Sequence, residues 1–139
     1  MSALSQTAAN FAPSANAVYS PFYPLGATGL TGQAVYLDAT TQTLKLAGAA
    51  STAAVAGAVG FLEAGGATGQ LRRYVIKDPA LVPGYTATAG FPIQLHTTAG
   101  SFTQTQADIG SGNYGVSFGS MTSTTVLNFT GVSVGSALA

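Results

Sequence analysis

Few side chains in this sequence could do chemistry. It has one histidine, His96, no cysteine, and four carboxylates, Asp38, Glu63, Asp78 and Asp108. Without a thiol there can be no cysteine nucleophile, disulfide framework or cysteine-ligated metal. His96 follows a segment in which Phe91, Ile93 and Leu95 alternate with Pro92 and Gln94. It therefore falls on the polar face of a half-buried strand and reads as a structural or solvent-facing histidine. No Gly-x-Ser-x-Gly elbow surrounds any serine, so nothing marks a nucleophile for that histidine to activate. A glycosidase holds two carboxylates about 5 to 9.5 Å apart, whereas the four here lie singly in or beside turn-like sequences. Asp108-Ile-Gly-Ser-Gly-Asn113 has the outline of a cation loop but lacks the further acidic ligands, and reads as a turn in which Asp bonds its own backbone. Glycines 57, 60, 65, 66 and 69 are followed by no Gly-Lys-Ser/Thr and form no G-x-G-x-x-G opening a helix, so they are turn residues. The expectation is a protein that is not an enzyme and carries no cofactor or metal.

What remains is binding, and the charge inventory restricts its kind. The 139 residues carry four basic and four acidic side chains, 6% of the chain, against roughly 25% in ordinary soluble domains. No net field exists to gather phosphates or lipid headgroups, so nucleic acid is not an expected partner. A chain of this mass exposes roughly 6,600 Å², which leaves about one charge per 800 Å², the area one partner contributes to a standard interface. Isolated monomers carry more charge than that for solubility. The composition points to life in an assembly. Membrane insertion is not expected either: the uncharged run Leu46 to Leu62 is mostly Ala and Gly, short of the about 20 predominantly apolar residues of a spanning helix. No Lys or Arg precedes Lys45, so the charged start of a secretory signal is also missing.

Two groups of residues are candidates for partner binding. Residues 1–28 contain no charge, three of the six prolines (Pro13, Pro21, Pro24) and the aromatics Phe11, Tyr19, Phe22 and Tyr23. Disordered tails are rich in charge and poor in aromatics, so this composition is that of an arm that orders against a partner through those four rings. The second group is Arg72 and Arg73, which with Lys77 and Asp78 hold half of the charge in seven residues. On a strand, successive side chains face opposite ways, so at least one arginine meets solvent or the acidic patch of a partner.

The elements that must position these residues are β-strands. Gly32 to Asp38, a turn-like Ala-Thr-Thr-Gln-Thr, and a second strand with Leu44 and Leu46 make a hairpin. The Ala-rich run 49–64 is interrupted by Gly57 and Gly60, which favours a short strand around Gly57–Leu62 over a helix. Gln70–Lys77 is rich in β-formers, and Asp78-Pro79 and Pro83-Gly84 punctuate a loop after it. Pro92 makes the strand through Leu95 an edge strand or a strand start. Tyr114, Val116 and Phe118 alternate with small residues, and Thr124–Val134 supplies a last β-branched run. Five to eight short strands with Gly-rich turns predict a mainly β fold, a small β-barrel or sandwich over residues 29–139 with an extended N-terminal arm over 1–28.

Three blocks together resemble a known family. Gly32-Gln-Ala-Val-Tyr-Leu-Asp-Ala-Thr-Thr-Gln-Thr-Leu-Lys-Leu-Ala47, Ala56-Gly-Ala-Val-Gly-Phe-Leu62 and Tyr114-Gly-Val-Ser-Phe-Gly-Ser-Met-Thr-Ser-Thr-Thr-Val-Leu-Asn-Phe129 look like the capsid decoration (cement) proteins of tailed bacteriophages. The resemblance covers residues 29–134. It implies a structural virion protein, made in the host cytoplasm, seated on the outer surface of the head as a homotrimer and clamping major capsid protein subunits, with the N-terminal arm as an attachment device. The alternative is a host-surface or carbohydrate-binding module of a head fibre, tail fibre or adhesin, with Tyr85 and Tyr114 as sugar-stacking faces.

Overall fold

The computed structural model describes residues 3–49 and 57–137. Among them are twelve short strands, two single turns of 3-10 helix (Ala8–Asn10 and Gln106–Asp108) and no α-helix. The strands are β1 (Val18–Tyr19), β2 (Tyr23–Pro24), β3 (Ala34–Asp38), β4 (Thr43–Leu46), β5 (Gly60–Leu62), β6 (Leu71–Arg72), β7 (Tyr74–Leu81), β8 (Pro92–Leu95), β9 (Phe102–Thr103), β10 (Tyr114–Met121), β11 (Leu127–Phe129) and β12 (Ser133–Ala137). The main antiparallel sheet runs β4-β3-β5-β7-β11-β10-β8-β9, with β1 on β7 and β12 on β10, while β2 and β6 form a separate two-stranded ribbon.

This sheet is curled into a half-barrel, and the core shows why. Phe61 on β5 and Phe102 on β9 stack with ring centroids 4.9 Å apart, although five strand-to-strand steps separate them in the sheet. Laid flat, those steps would span about 24 Å. Curling closes the distance, because only a concave face lets the large apolar side chains of distant strands bury one another. Phe118 of β10 and Phe129 of β11 complete the cluster, edge-on to Phe61 at 5.3 and 4.8 Å. The mainly β expectation, a small barrel or sandwich, holds in this form.

The first hairpin forms as its alternation dictates, with Val35 opposite Leu46 and Leu37 opposite Leu44. Its turn is held by Asp38, whose carboxylate accepts from the Thr40 and Thr41 backbone N–H groups at 2.9 and 3.3 Å and from Lys45 Nζ at 2.7 Å. The expected strand within Gly57–Leu62 is β5, while residues 50–56 of the Ala-rich run lie outside the described residues. Gly60 is obligatory there: a Cβ would sit 2.0 Å from the Val75 carbonyl oxygen, so the close approach of β5 to β7 needs a residue without one.

Several expectations are corrected. Asp78-Pro79 does not open a loop, since β7 continues through it to Leu81. Beside Pro79, which has no N–H, the Asp78 carboxylate takes over as hydrogen-bonding group. Of the two readings of Pro92, strand start is the one realised: β8 lies between β10 and β9 and is not an edge. Phe91 precedes β8 and is exposed, so only Ile93 and Leu95 reach the core. The run 124–134 is divided into β11 and β12 around Gly131, whose φ of +112° breaks the ladder.

The largest difference concerns residues 1–28. The described part of this segment is extended, as its prolines require, but it is bound along its own domain. Leu4 donates to the Phe102 carbonyl, Thr7 to that of Gly84, and Ala12 and Val82 exchange two backbone hydrogen bonds. β1 then pairs with β7, Val18 opposite Lys77 and Tyr19 opposite Val75, and β2 with β6, Tyr23 opposite Arg72 and Pro24 opposite Leu71. Phe11 enters the aromatic core, stacked 6.1 Å from Phe61. Leu25 enters a second apolar cluster with Val35, Leu44 and Leu62. Neighbours on one strand face opposite ways, so Phe61 and Leu62 belong to different clusters, and the N-terminal segment contributes to both. A boundary at residue 28 therefore does not separate an arm from a core.

Candidate interaction surface

The two groups singled out from the sequence meet. Residues 18–24 run antiparallel to 77–71 through β1–β7 and β2–β6, which brings the arm aromatics against the arginine edge. Arg73 forms a two-pronged ion pair with Glu63, Nε to Oε1 and Nη2 to Oε2 both at 2.8 Å. Its guanidinium carbon lies 3.9 Å from the centre of the Tyr19 ring and 5.3 Å from that of Phe22. The Glu63 hydrogen bonds hold Arg73 even further above its ordinary ionisation range. Arg73 is thus a rivet within the chain, its charge already matched by Glu63.

Arg72 is used differently. Its guanidinium donates to the carbonyls of Gly65 at 2.9 Å and Leu71 at 2.7 Å and to Gln70 Oε1 at 3.4 Å, and no carboxylate among the described residues pairs with it. Tyr23 stacks on Tyr74 at 6.4 Å and 12°, and desolvation raises the Tyr74 hydroxyl above its usual range. Of the four arm rings, Phe11 is buried in the core and unavailable to a partner, Tyr19 and Tyr23 are half-buried, and Phe22 is 57% exposed.

Leu71 on the ribbon is 59% exposed, and on the adjoining β1–β7 pair Val18 is 40% and Ile76 36% exposed. The ribbon and the adjoining β1–β7 pair thus carry uncovered hydrocarbon together with Arg72 and Lys77. Leu71, Val18 and Ile76 were not singled out from the sequence; the signal for Leu71 was its place directly before the two arginines, while Val18 and Ile76 needed the register.

The residues weighed for catalysis stay apart. His96 is buried rather than solvent-facing, because β8 ends at Leu95 and the chain folds back with His96 N–H on the Ser101 carbonyl. Its Nδ1 accepts from the Thr98 backbone N–H at 3.0 Å, and no hydroxyl or carboxylate among the described residues bonds to either ring nitrogen. Asp38 and Glu63 are in ion pairs, Asp78 serves Ser14 and Ala80, and Asp108 accepts from the Thr103 hydroxyl at 2.9 Å. No group of three or more potential metal ligands occurs among the described residues. Tyr85, weighed as a sugar-stacking face, is buried with its ring 5.7 Å from that of Phe102, and its hydroxyl is pushed far up by desolvation. Tyr114 packs partly against the core. Compared with known proteins, this chain matches no family model, no curated protein and no solved structure.

Proposed function

We propose that this chain is a structural, non-enzymatic virion protein, a decoration (cement) protein that binds the outer surface of a tailed-bacteriophage head as a homotrimer and stabilises contacts between major capsid protein subunits. The resemblance of residues 29–134 to that family supports the reading, as does the scarcity of charge. The observation that carries it is the exposed hydrocarbon of Phe22 and Leu71 at the ribbon and of Val18 and Ile76 on the adjoining β1–β7 pair, beside the Arg73–Glu63 ion pair. Apolar side chains held on a rigid support lose little conformational freedom on docking, which favours a permanent contact. The test is sedimentation of the purified chain with heads assembled from the major capsid protein alone. Wild type pellets with the heads and the Phe22→Ser/Leu71→Ser variant stays in the supernatant. Failure of the wild type to pellet, or equal pelleting of both, overturns the proposal.

A further inference from the structure

The N-terminal segment and the 82–86 turn enclose an open groove of about 430 Å³, within the roughly 300–1,000 Å³ range of small-molecule sites. Its walls include Ser5, Thr7, Asn10, Tyr85, Thr86 and Thr125, and no charged residue lines it. The walls are firmly placed. Phe11 is anchored in the core directly after Asn10, Ala12 and Val82 exchange two hydrogen bonds, and Thr7 N–H donates to the Gly84 carbonyl at 2.8 Å. Gly84 has φ +91°, and a Cβ there would meet the Thr7 carbonyl oxygen at 2.6 Å, so the two walls can approach this closely only at a glycine.

The side-chain hydroxyls of Ser5, Thr7, Thr86 and Thr125 and the amide of Asn10 enter no hydrogen bond among the described residues. Polar neighbours outside the groove are engaged: Gln6 holds the carbonyls of Gly32 and Pro83, and Ser123 accepts from the Thr125 and Val126 N–H groups. Tyr85, part of the wall, ends in a hydroxyl that is itself buried and has no partner among the described residues. We infer that this groove binds a neutral polyhydroxylated ligand, a saccharide unit, a site separate from the ribbon edge and independent of the head-decoration reading. Hydroxyl and amide groups both donate and accept, as a sugar's hydroxyls do. A charged ligand finds no counter-ion on the walls, and an apolar one would leave five polar groups dry. Because the Tyr85 ring is buried, recognition runs through hydrogen bonds rather than ring stacking, and an open groove of this kind binds at about millimolar Kd.

The test is a titration of the full-length ¹⁵N-labelled chain, followed by NMR, with glucose, galactose, N-acetylglucosamine and maltose, and with glucuronate and glucosamine as charged probes. At least one neutral sugar is expected to shift the amides of Thr7, Asn10, Gly84 and Thr86 saturably. The Asn10→Ala/Thr86→Val variant, altered only at exposed positions, should keep the wild-type spectrum elsewhere and bind at least about tenfold more weakly, the equivalent of one or two neutral hydrogen bonds. No saturable shift with any neutral sugar, shifts located away from the groove, undiminished binding by the variant, or tighter binding of a charged probe each overturns the inference.

Discussion

The backbone N–H of Ser14 lies 2.6 Å from the Asp78 carboxylate, 64 residues away in the chain, and the Ser14 hydroxyl donates to the other carboxylate oxygen. Asp78 is fully buried, and Ala80 N–H at 3.1 Å completes its hydrogen bonds. The N-terminal segment thus satisfies a carboxylate that the β domain has buried, while Phe11 and Leu25 fill its two apolar clusters.

Removing residues 1–24 is therefore expected to unfold the domain. It exposes Phe61 and strips Asp78 of two donors, and burying an undersatisfied charged group is heavily penalised. Circular dichroism of the truncated chain should show no cooperative thermal transition. A truncated chain that melts like wild type would show the segment to be dispensable.

Ser14→Ala removes only the hydroxyl, leaving the backbone donor in place. It should destabilise by about 1 to 3 kcal/mol, the penalty for a buried group that loses one partner. Chemical denaturation measures this, with Ser5→Ala as an exposed control expected within about 0.5 kcal/mol of wild type.

Phe61 touches Phe11, Phe102, Phe118 and Phe129, from four different segments. Phe61→Ala should destabilise by about 3 to 5 kcal/mol through the cavity it leaves. Phe22→Ala, at an exposed ring, should change stability by under about 0.5 kcal/mol while weakening co-sedimentation with heads. The wild type is expected as a trimer, by sedimentation velocity in solution or by reconstruction of the decorated particle, and a monomer under both conditions defeats the trimer.

The acid and alkaline limits come from different groups. Hydrogen bonds from Lys45, then Thr40 and Thr41, hold Asp38 below its ordinary 3.8, so its contribution is full above that value and lost as pH falls through the lowered one. Lys45→Met should move the Asp38 carboxyl back up, as followed by NMR. Burial pushes Tyr85 far up from 10.0, so its contribution is complete below pH 10 and declines as pH rises beyond it. Ultraviolet titration should find one tyrosine that ionises only as the chain unfolds, and Tyr85→Phe should remove that component.

The sequence by itself determined the local elements. The β3–β4 hairpin, the alternation of β8 and the long β10 were legible because their signals lie within a few residues: a period of two, β-branched runs and turns that Asp38 can cap. The charge-free, aromatic composition of the first 28 residues also marked them as a segment that packs against other surface, as Phe11 and Leu25 do. The partner of that segment was decided only by the tertiary structure. Apolar burial has no direction; composition required a cover for Phe11 and Leu25, and whether a neighbour or the chain's own β7 supplied it depended on a curl that brings β5, β9, β10 and β11 around one cluster. The same holds for Asp78, in a locally polar sequence yet buried, with Ser14, 64 residues away, bonded to its carboxylate. Burial of a polar group is a property of what packs against it, and those residues lie tens of positions away.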